Sequence, residues 1–453
     1  MKIISSSFRD PSGFLFHESD KLYRQINLIY KKHYDYLMKS GLYKVLADQK
    51  LLIKHEETAA QPKNENAYKI IRPEIIPFIS YPYEWCFSEL KDAALLTLKI
   101  QKIALEHDMS LKDASAYNIQ FLDGKPIFID TLSFEKYEEG RPWIAYKQFC
   151  QHFLAPLVLM KYSYIGLNQL LKIYLDGVPL DLASKLLPWH TRFKFGVLTH
   201  IHLHAKAQKY YADKPVKINK KMSRRSFFAL IDNLESFIKQ LSWKPSGTEW
   251  ADYYDKTIYY EKGLAAKKLI INRFLNKIAP KTVWDMGANT GFFSRIASKM
   301  GVYTIAFDID PSAVEKNYLE CKEKNETRML PLLLDITNPS PDIGWENNER
   351  RSLINRGPAD CAMALALIHH LAISNNTPFE KIARFFSRIC HYLIIEFVPK
   401  NDPNVKRLLA TRRDIFTDYT EKKFEYEFKR FFGIIEKKKI KNTERVVYLM
   451  KKI

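Results

Sequence analysis

Five short apolar runs, separated by stretches with helical spacing, most constrain the fold of the second half of the chain. They follow residue 245 and are KTVWDMG, TIAFDID, RMLPLLLDI, ADCAMALALIHH and HYLIIEFVP. Strands that alternate with helices are typical of a parallel, doubly wound α/β sheet. Two last runs, FGIIEKKKI and RVVYLMKKI, are separated only by KNTE and predict an antiparallel hairpin at the sheet edge.

A glycine turn follows the first of these strands, in the run VWDMGANTGFFS. Its key positions are Asp285, Gly287, Ala288, Asn289 and Gly291. A turn that admits a pyrophosphate has the spacing G-x-G-x-x-G, which this run lacks. S-adenosylmethionine fits better, because it has a sulfonium, an amino-acid head and a ribose but no phosphate. The aspartate can face the cationic end, and the turn amides can meet the carboxylate.

Carboxylates end the next two strands as well. Asp308, in TIAFDID, is placed to accept both ribose hydroxyls, with Ile309 beside it and Asp310 as the near alternative. Asp335, in LLLDI, is placed to accept the adenine amino group, with Ile336 beside it. One glycine turn is weak evidence, but carboxylates at the ends of successive strands strengthen it. The structural alternative is that these residues only cap helices and turns.

Methyl transfer is an in-line displacement that needs an aligned nucleophile and, for a hydroxyl, a base. His369 and His370, in LALIHHL, follow the fourth strand, and histidine has a suitable pKa for a base. Glu396, which ends the fifth strand, also faces the predicted cleft. The structural alternatives are a histidine that caps a helix or packs on the cofactor, and a salt bridge from Glu396 to Arg412 or Arg413.

The segment from about Thr248 onward resembles class I S-adenosylmethionine-dependent methyltransferases. VWDMGANTGFFS resembles the first motif of that family, and AFDID resembles its acidic second motif. The resemblance implies a Rossmann-like, seven-stranded sheet with a reversed edge strand, and transferase activity. The runs ALALIHHL, IIEFVPK and LLATRRDIF resemble, more narrowly, bacterial NoeA-related nodulation methyltransferases. That likeness extends through the N-terminal half.

The sequence of residues 1–140 predicts an α+β region with a hairpin around Glu18–Asp20. The stretch SLKDASAYNIQFLDGKPIFIDTL places Asp113, Asn118 and Asp130 at the spacing of a kinase catalytic aspartate and two metal-binding residues. It resembles kinase-like phosphotransferases and implies a magnesium-ATP site. LKD and DTL depart from the kinase motifs, and DPSG is no phosphate-covering glycine loop. The alternative is a network of turn side chains bonding their own backbone.

Composition limits which partners and which cellular location the protein can have. The chain has 453 residues, 46% of them hydrophobic, and a net charge of +20, which favours acidic partners. Residues 141–240 are predicted to be mainly helical, with a basic run at Lys214–Arg225, and residues 245–453 to form the methyltransferase domain. The five cysteines form no CxxC pair, and FLAPLVLMKYSYIGL, broken by Lys161, is too short for a membrane span. We therefore expect a cytoplasmic protein with buried free thiols.

The sequence thus predicts a methyltransferase with an unidentified acceptor, whose N-terminal half recognises the substrate or regulates the enzyme. One alternative is a bifunctional protein with an ATP-binding, phosphotransferase-like N-terminal half. The other is a basic RNA- or protein-binding module whose methyltransferase fold only senses the cofactor. Nucleic-acid binding is not favoured, because a positive field carries no specificity of its own. Neither the acceptor atom nor the number of subunits can be deduced from the sequence.

Overall fold

The structure, a computed structural model, describes residues 2–60, 64–211, 221–245, 258–410 and 413–453. The chain divides into two compact units. Unit 1 is Met1–Lys244 with Gly344–Arg350, and unit 2 is Pro245–Ile343 with Arg351–Ile453. Residues 1–140 and 141–240, treated separately on sequence, fall in one unit. Thr248 and most of the basic run lie outside the described residues.

Unit 1 combines small antiparallel sheets with many helices. Its strands are β1 (Lys2–Ile3), β2 (Gly13–Glu18), β3 (Lys21–Asn27), β4 (His55–Thr58), β5 (Ala67–Pro73), β6 (Met109–Leu111), β7 (Ile119–Leu122), β8 (Lys125–Phe128) and β9 (Phe134–Lys136). The first five form one sheet in the order β1-β2-β3-β5-β4, while β6 pairs with β9 and β7 with β8. All of these pairs are antiparallel.

The helices of unit 1 are concentrated after residue 140. They are α1 (Lys31–Lys39), α2 (Leu42–Asp48), α3 (Phe87–Glu106), α4 (Tyr146–Phe149), α5 (Ala155–Tyr162), α6 (Leu170–Ile173), α7 (Leu180–Leu186), α8 (Phe195–Val197), α9 (His204–Tyr211) and α10 (Arg224–Gln240). The mainly helical character predicted for 141–240 is therefore present in the residues described there.

Local sequence explains the predicted hairpin and the long helix of unit 1. Ser19 and Asp20, between β2 and β3, have φ of 47° and 61°, as a two-residue hairpin turn requires. At the start of α3, the Glu89 carboxylate accepts a hydrogen bond from the Cys86 amide at 2.7 Å and satisfies one of the unpaired donors there. The hairpin occurs where the sequence predicted it.

Unit 2 is an α/β domain. Its strands are β10 (Thr282–Met286), β11 (Tyr303–Asp308), β12 (Met329–Leu333), β13 (Ala359–Ala364), β14 (Cys390–Phe397), β15 (Phe432–Lys439) and β16 (Val446–Lys452). Its helices are α11 (Ile258–Ile278), α12 (Ser294–Lys299), α13 (Pro311–Glu323), α14 (Leu353–Arg356), α15 (Phe379–Ile389), α16 (Pro403–Leu409) and α17 (Glu421–Phe428). Each predicted strand of this half, including the terminal hairpin, is confirmed.

The strands of unit 2 form one seven-stranded sheet in the order β12-β11-β10-β13-β14-β16-β15. Strands β10 to β14 pair in parallel, whereas β16 is antiparallel to both β14 and β15. Successive strands run outward from β10 to β12, and the chain then crosses to β13 on the other side. That reversal leaves a crevice at the carboxyl ends of β10 and β13, which is where open α/β sheets bind ligands.

The sheet is buried because helices cover it. Ile271, Phe274 and Leu275 of α11 pack with Val283 of β10 and Met363 of β13 in one fully buried cluster. All five cysteines of the chain are buried thiols that form no disulfide, as predicted. Among the described residues, no helix combines the length and the apolar character needed to cross a membrane.

Candidate functional site

The glycine turn after β10 is held against β11 by its own backbone. The amides of Gly287 and Ala288 donate to the Phe307 carbonyl at 2.9 and 2.8 Å. The Ala288 side chain is buried in a small core cluster. Ala288 therefore helps to fix the turn, and its amide already has a backbone acceptor.

Gly291 closes the turn with φ of +80°, at a point where no side chain fits. A Cβ there would lie 2.6 Å from the side-chain nitrogen and oxygen of Asn317, which is 1% exposed on α13. Both the backbone conformation and the close approach of α13 thus require glycine.

We expect Gly291→Ala to destabilise the protein by about 2–4 kcal/mol, since it adds a side-chain clash to the strain of a positive φ. Gly301→Ala is the matched control, because Gly301 has φ of +82° but nothing within 4 Å of the added Cβ. We expect that control to lose only about 1 kcal/mol. Urea unfolding of both variants measures the difference, and equal losses would contradict the packing argument.

Asp285 lies on β10 and is 1% exposed. Its Oδ2 accepts a hydrogen bond from the Ser294 hydroxyl at 2.7 Å, and its Oδ1 has no partner among the described residues. Burial raises the pKa of Asp285 to about 7, although Ser294 and the Lys267 charge oppose the shift. A buried carboxylate with an unused oxygen favours a cationic ligand, which would satisfy that oxygen and stabilise the charge.

Asp308 ends β11 and is 9% exposed. Its two oxygens accept hydrogen bonds from the amides of Asn289, at 2.7 Å, and Asp310, at 2.9 Å. Burial raises the pKa of Asp308 to about 6 against the lowering effect of these amides. Each carboxylate oxygen can accept a second bond, so Asp308 keeps acceptor capacity for a pair of hydroxyls.

The two residues after Asp308 have different roles: Asp310 caps a helix, and Ile309 exposes an apolar side chain. Asp310 caps α13, since its Oδ1 accepts from the Ser312 amide at 2.8 Å. Ile309 is 61% exposed, a high value for an isoleucine at the end of a buried strand. Asp310 is thus committed to the helix, and Ile309 offers a flat apolar contact beside Asp308.

Asp335 and Ile336 follow β12 and are both half-buried. The Asp335 Oδ1 accepts from the amide and the hydroxyl of Thr337, at 2.8 and 2.6 Å, as a turn aspartate does. The carboxylate is therefore anchored at the ligand-binding end of the sheet, two strands away from Asp285.

The two histidines follow β13, and their rings are 4.2 Å apart. His369 is 1% exposed, and burial, with the neighbouring charges of His370, Arg445 and Lys267, lowers its pKa well below the usual value. Its Nδ1 has no partner in the described part of the chain. His369 is therefore a neutral and weak base, whereas His370 is only half-buried.

Glu396, fully buried at the end of β14, lies in a charged network. Lys267 Nζ lies 2.5 Å from one carboxylate oxygen, which also accepts from the Ala366 amide at 2.8 Å. Arg445 lies 3.3 Å from the other oxygen and also binds Asp402 at 2.7 Å. Burial alone would raise the pKa of Glu396, but Lys267 and Arg445 hold it below its usual value.

Glu396 is therefore an ion-pair partner and not a free base. Glu396 does form salt bridges, as considered on sequence, with Lys267 and Arg445. Among the described residues Arg413 is not a partner, and Arg412 lies outside them. Sequence reasoning missed Lys267 because α11 carries several lysines at helical spacing. It missed Arg445 because the residue lies just before the last strand, β16, far from the motifs.

The kinase-like residues of unit 1 are brought together but are already partnered. The Asp113 Oδ1 accepts from the Ser115 amide at 2.9 Å and from Gln148 at 2.8 Å. Burial, and secondly the Asp130 charge, raise the pKa of Asp113, so the two carboxylates lie close together. Asp130 forms an ion pair with Arg24.

The remaining member of that group, Asn118, donates to the Ser133 hydroxyl at 3.2 Å. In the described ranges, no group of three or more His, Cys, Asp or Glu side chains is placed to hold a metal ion. The turn network considered on sequence is present in part, since Asp113 and Asp130 accept from the amides of Ser115 and Leu132, and the structure gives no support for magnesium-ATP.

Comparison with known proteins decides the family. No protein-family model matches the chain. It is 34% identical over 457 aligned residues to nodulation protein NoeA of Rhizobium meliloti (strain 1021), an alignment that covers 98% of this chain and 95% of NoeA. This chain belongs to the NoeA family. The narrow resemblance in the sequence is thereby confirmed, and it spans both units of this NoeA relative.

The solved structures that match this NoeA relative are much less similar to it in sequence. Magnesium protoporphyrin IX methyltransferase ChlM from Synechocystis PCC 6803, solved with bound SAH, is 13% identical, with 44% of this chain and 89% of ChlM covered and a TM-score of 0.32. The bifunctional kinase-methyltransferase WbdD is 15% identical, with 48% of this chain and 46% of WbdD covered and a TM-score of 0.30. Likenesses at this level are too weak to assign an activity.

Proposed function

We propose that unit 2 is an S-adenosylmethionine-dependent methyltransferase. The observation that carries the proposal is the carboxylate pair at the switch point of the sheet: Asp285 with an unused buried oxygen and Asp308 with spare acceptor capacity. The strand order, with its antiparallel final strand, agrees with the methyltransferase resemblance of the sequence.

The residues present fit S-adenosylmethionine. Asp285 would face the cationic amino-acid end, Asp308 would accept the ribose hydroxyls, and Ile309 would pack on the adenine, whose amino group Asp335 would meet. Gly287 and Gly291 would let the backbone approach the ligand. When bound, the cofactor supplies an activated methyl group.

The rest of the proposed chemistry belongs to residues beside the cleft. Lys267 and Arg445 keep Glu396 ionised, and Glu396 holds the Ala366 amide and so fixes the loop that carries the histidines. His370, half-buried after β13, is the better placed of the two to take a proton from an acceptor hydroxyl. His369 is confined to orienting and hydrogen bonding, because its pKa is lowered well below the usual range.

Affinity for S-adenosylhomocysteine should rise with pH through the acidic range. Asp308 accepts hydroxyls best as a carboxylate, and its pKa is about 6. At about pH 5 some tenth of the molecules carry that charge, and fewer still carry the charge of Asp285, whose pKa is about 7, so binding should be at least about tenfold weaker than at about pH 8. Calorimetric titration across this range measures the slope. In Asp308→Asn the slope should flatten, and an unchanged slope in that variant would assign the titration to another group.

The stability of the unliganded unit should change with pH in the opposite direction. The pKa of Asp285, about 7, lies above that of an unfolded aspartate, so the folded state holds more protons. Stability should then fall as the pH rises from about 4 to about 7, because ionising the buried carboxylate is unfavourable. Bound ligand should oppose this loss.

Transfer of a tritiated methyl group from S-adenosylmethionine to acceptors in fractionated cell extract tests the activity. We expect labelling by the wild-type chain and none by Asp308→Ala. Binding of S-adenosylhomocysteine without transfer to any acceptor would favour the alternative in which the fold only senses the cofactor. The acceptor class, whether small molecule, glycan, lipid precursor or macromolecule, would emerge from the labelled fraction.

A further inference from the structure

Unit 1 presents a cluster of aromatic side chains to solvent. Trp189 is 73% exposed, Phe193 78% and Phe195 70%, and Leu186 beside them is 42% exposed. Large apolar side chains are usually buried, so an exposed group of them marks a surface that meets an apolar partner. We call residues 185–195 the aromatic-basic segment.

Two aromatic rings of this segment lie side by side, and a third exposed ring follows directly. Trp189 and Phe193 lie in the 3₁₀ turn Trp189–Phe193, with ring centroids 5.7 Å apart. Lys194, with φ of −93° and ψ of 107°, is the one residue between Phe193 and Phe195. The exposed rings are therefore concentrated within seven consecutive residues, 189–195.

The aromatic-basic segment is fixed from below, so its rings are not a frayed end. Thr191 is fully buried, and its hydroxyl donates to the Pro188 carbonyl at 2.6 Å and contacts His202 Nε2 at 3.0 Å. A Cβ on Gly196 would lie 2.4 Å from the Phe237 ring of α10, so the chain packs closely there. The buried residues hold the backbone while the rings face solvent.

Positive charge is interleaved with the rings. Residues 180–195 hold the cations Lys185, Arg192 and Lys194 and one acid, Asp181, which lies 4.0 Å from Lys185. Within the residues that the structure describes, neither Arg192 nor Lys194 forms a salt bridge. Both are exposed.

The adjoining helix α5 extends this surface. Lys161, on α5, adds a further cation, and its pKa is lowered chiefly by burial and secondly by the Lys194 charge. The Ser163 hydroxyl donates to the Leu186 carbonyl at 3.0 Å, and Tyr164, next in sequence, is 67% exposed. The aromatic face is thus bordered by cations and by a further aromatic side chain.

We propose that the aromatic-basic segment docks this protein on an anionic membrane surface. Trp189, Phe193 and Phe195 would enter the headgroup region, where amphipathic aromatic side chains are stable, and Arg192 and Lys194 would meet acidic headgroups. The mixture of apolar rings and unpaired cations on one rigid surface matches an anionic interface in both polarity and charge. The docking is peripheral and goes beyond methyl transfer, because it fixes where unit 1 is held.

Sedimentation of the full-length chain with sucrose-loaded vesicles tests the proposal. One set contains phosphatidylcholine alone, and the other contains equal parts of phosphatidylcholine and phosphatidylglycerol. We expect binding to the anionic set that weakens as salt is raised above about 0.1 M. The triple variant Trp189→Ser, Phe193→Ser, Phe195→Ser should lose at least about tenfold in partitioning, since three interfacial anchors are removed.

A second variant tests the role of the cations, and two control variants remove similar side chains elsewhere in unit 1. Arg192→Gln with Lys194→Gln should lose about tenfold or more, roughly fivefold for each cation removed. This pair also keeps the test valid if the triple variant folds poorly. Trp345→Ser removes an equally exposed tryptophan elsewhere in unit 1, and Lys99→Gln with Lys125→Gln removes two exposed lysines. Both controls should bind as the wild type does.

Two results would overturn the proposal. One is equal sedimentation of the wild type and the two segment variants with anionic vesicles, or no sedimentation at all. The other is a wild-type dimer in light scattering that becomes a monomer in the triple variant while vesicle binding is unchanged, which would make this face a subunit interface.

Discussion

Replacement of Asp308 by alanine should weaken the binding of S-adenosylhomocysteine by about a hundredfold or more. A buried carboxylate that accepts two ribose hydroxyls contributes about 1.5–3 kcal/mol for each hydrogen bond, and each 1.4 kcal/mol is about tenfold in affinity. No other carboxylate of the proposed site combines a strand-end position on β11 with bonds to the glycine turn. Calorimetric titration of both proteins measures the ratio.

Asp308→Asn and Asp335→Ala are the controls for this loss. The Asn289 amide donates to Asp308 at 2.7 Å, and asparagine keeps an acceptor for it, so the turn should survive in Asp308→Asn. Asp335 is only half-buried, and its removal should cost less than about tenfold. If Asp308→Ala bound the ligand as tightly as wild type while folded, the assignment of the ribose site would be wrong.

Loss of Glu396 should unfold unit 2 more readily than loss of any surface carboxylate. Glu396→Ala would leave Lys267 and Arg445 with an uncompensated buried charge, which costs about 3–5 kcal/mol. Arg445 would keep Asp402, at 2.7 Å, but Lys267, which lies 2.5 Å from Glu396, would be left beside the ring of Phe293, 4.4 Å away, with no ion pair among the described residues. Urea denaturation measures the change in the free energy of unfolding.

Glu444→Ala is the matched control, because Glu444 pairs with Lys439 at 2.8 Å on the surface. Its loss should cost less than about 1 kcal/mol. The double variant Lys267→Met, Glu396→Leu should regain much of the stability, since apolar residues of similar size can replace a buried ion pair. A loss in Glu396→Ala no larger than in Glu444→Ala would refute the structural role of the network.

Much of unit 2 could be predicted from sequence because its strands and helices alternate regularly along the chain. Apolar runs ending at Asp285, Asp308 and Asp335 located both the parallel strands and the carboxylates beyond them, since parallel strands end at one edge. Gly291 could be identified because a tight turn after a strand needs a residue that tolerates a positive φ, here +80°. The N-terminal hairpin at Ser19 and Asp20 followed from turn chemistry alone.

The rest depends on contacts between residues distant in sequence, which no local pattern encodes. Nothing near Glu396 indicated that Lys267 and Arg445 would neutralise it. The separation of His369 from His370 by burial also needed the fold, because adjacent residues share the same local signal. In unit 1 the sequence does contain the kinase-like spacing of Asp113, Asn118 and Asp130. It could not show that Arg24, which lies far from this motif in sequence, forms an ion pair with Asp130.

Calorimetric titration of the full-length protein with S-adenosylhomocysteine, repeated with magnesium-ATP, tests the proposed cofactor site most directly. We expect one equivalent of S-adenosylhomocysteine bound per chain, with binding that disappears in Asp308→Ala. Absence of that binding, together with clear binding of magnesium-ATP that is lost in Asp130→Ala, would contradict it. The N-terminal half would then be the active one.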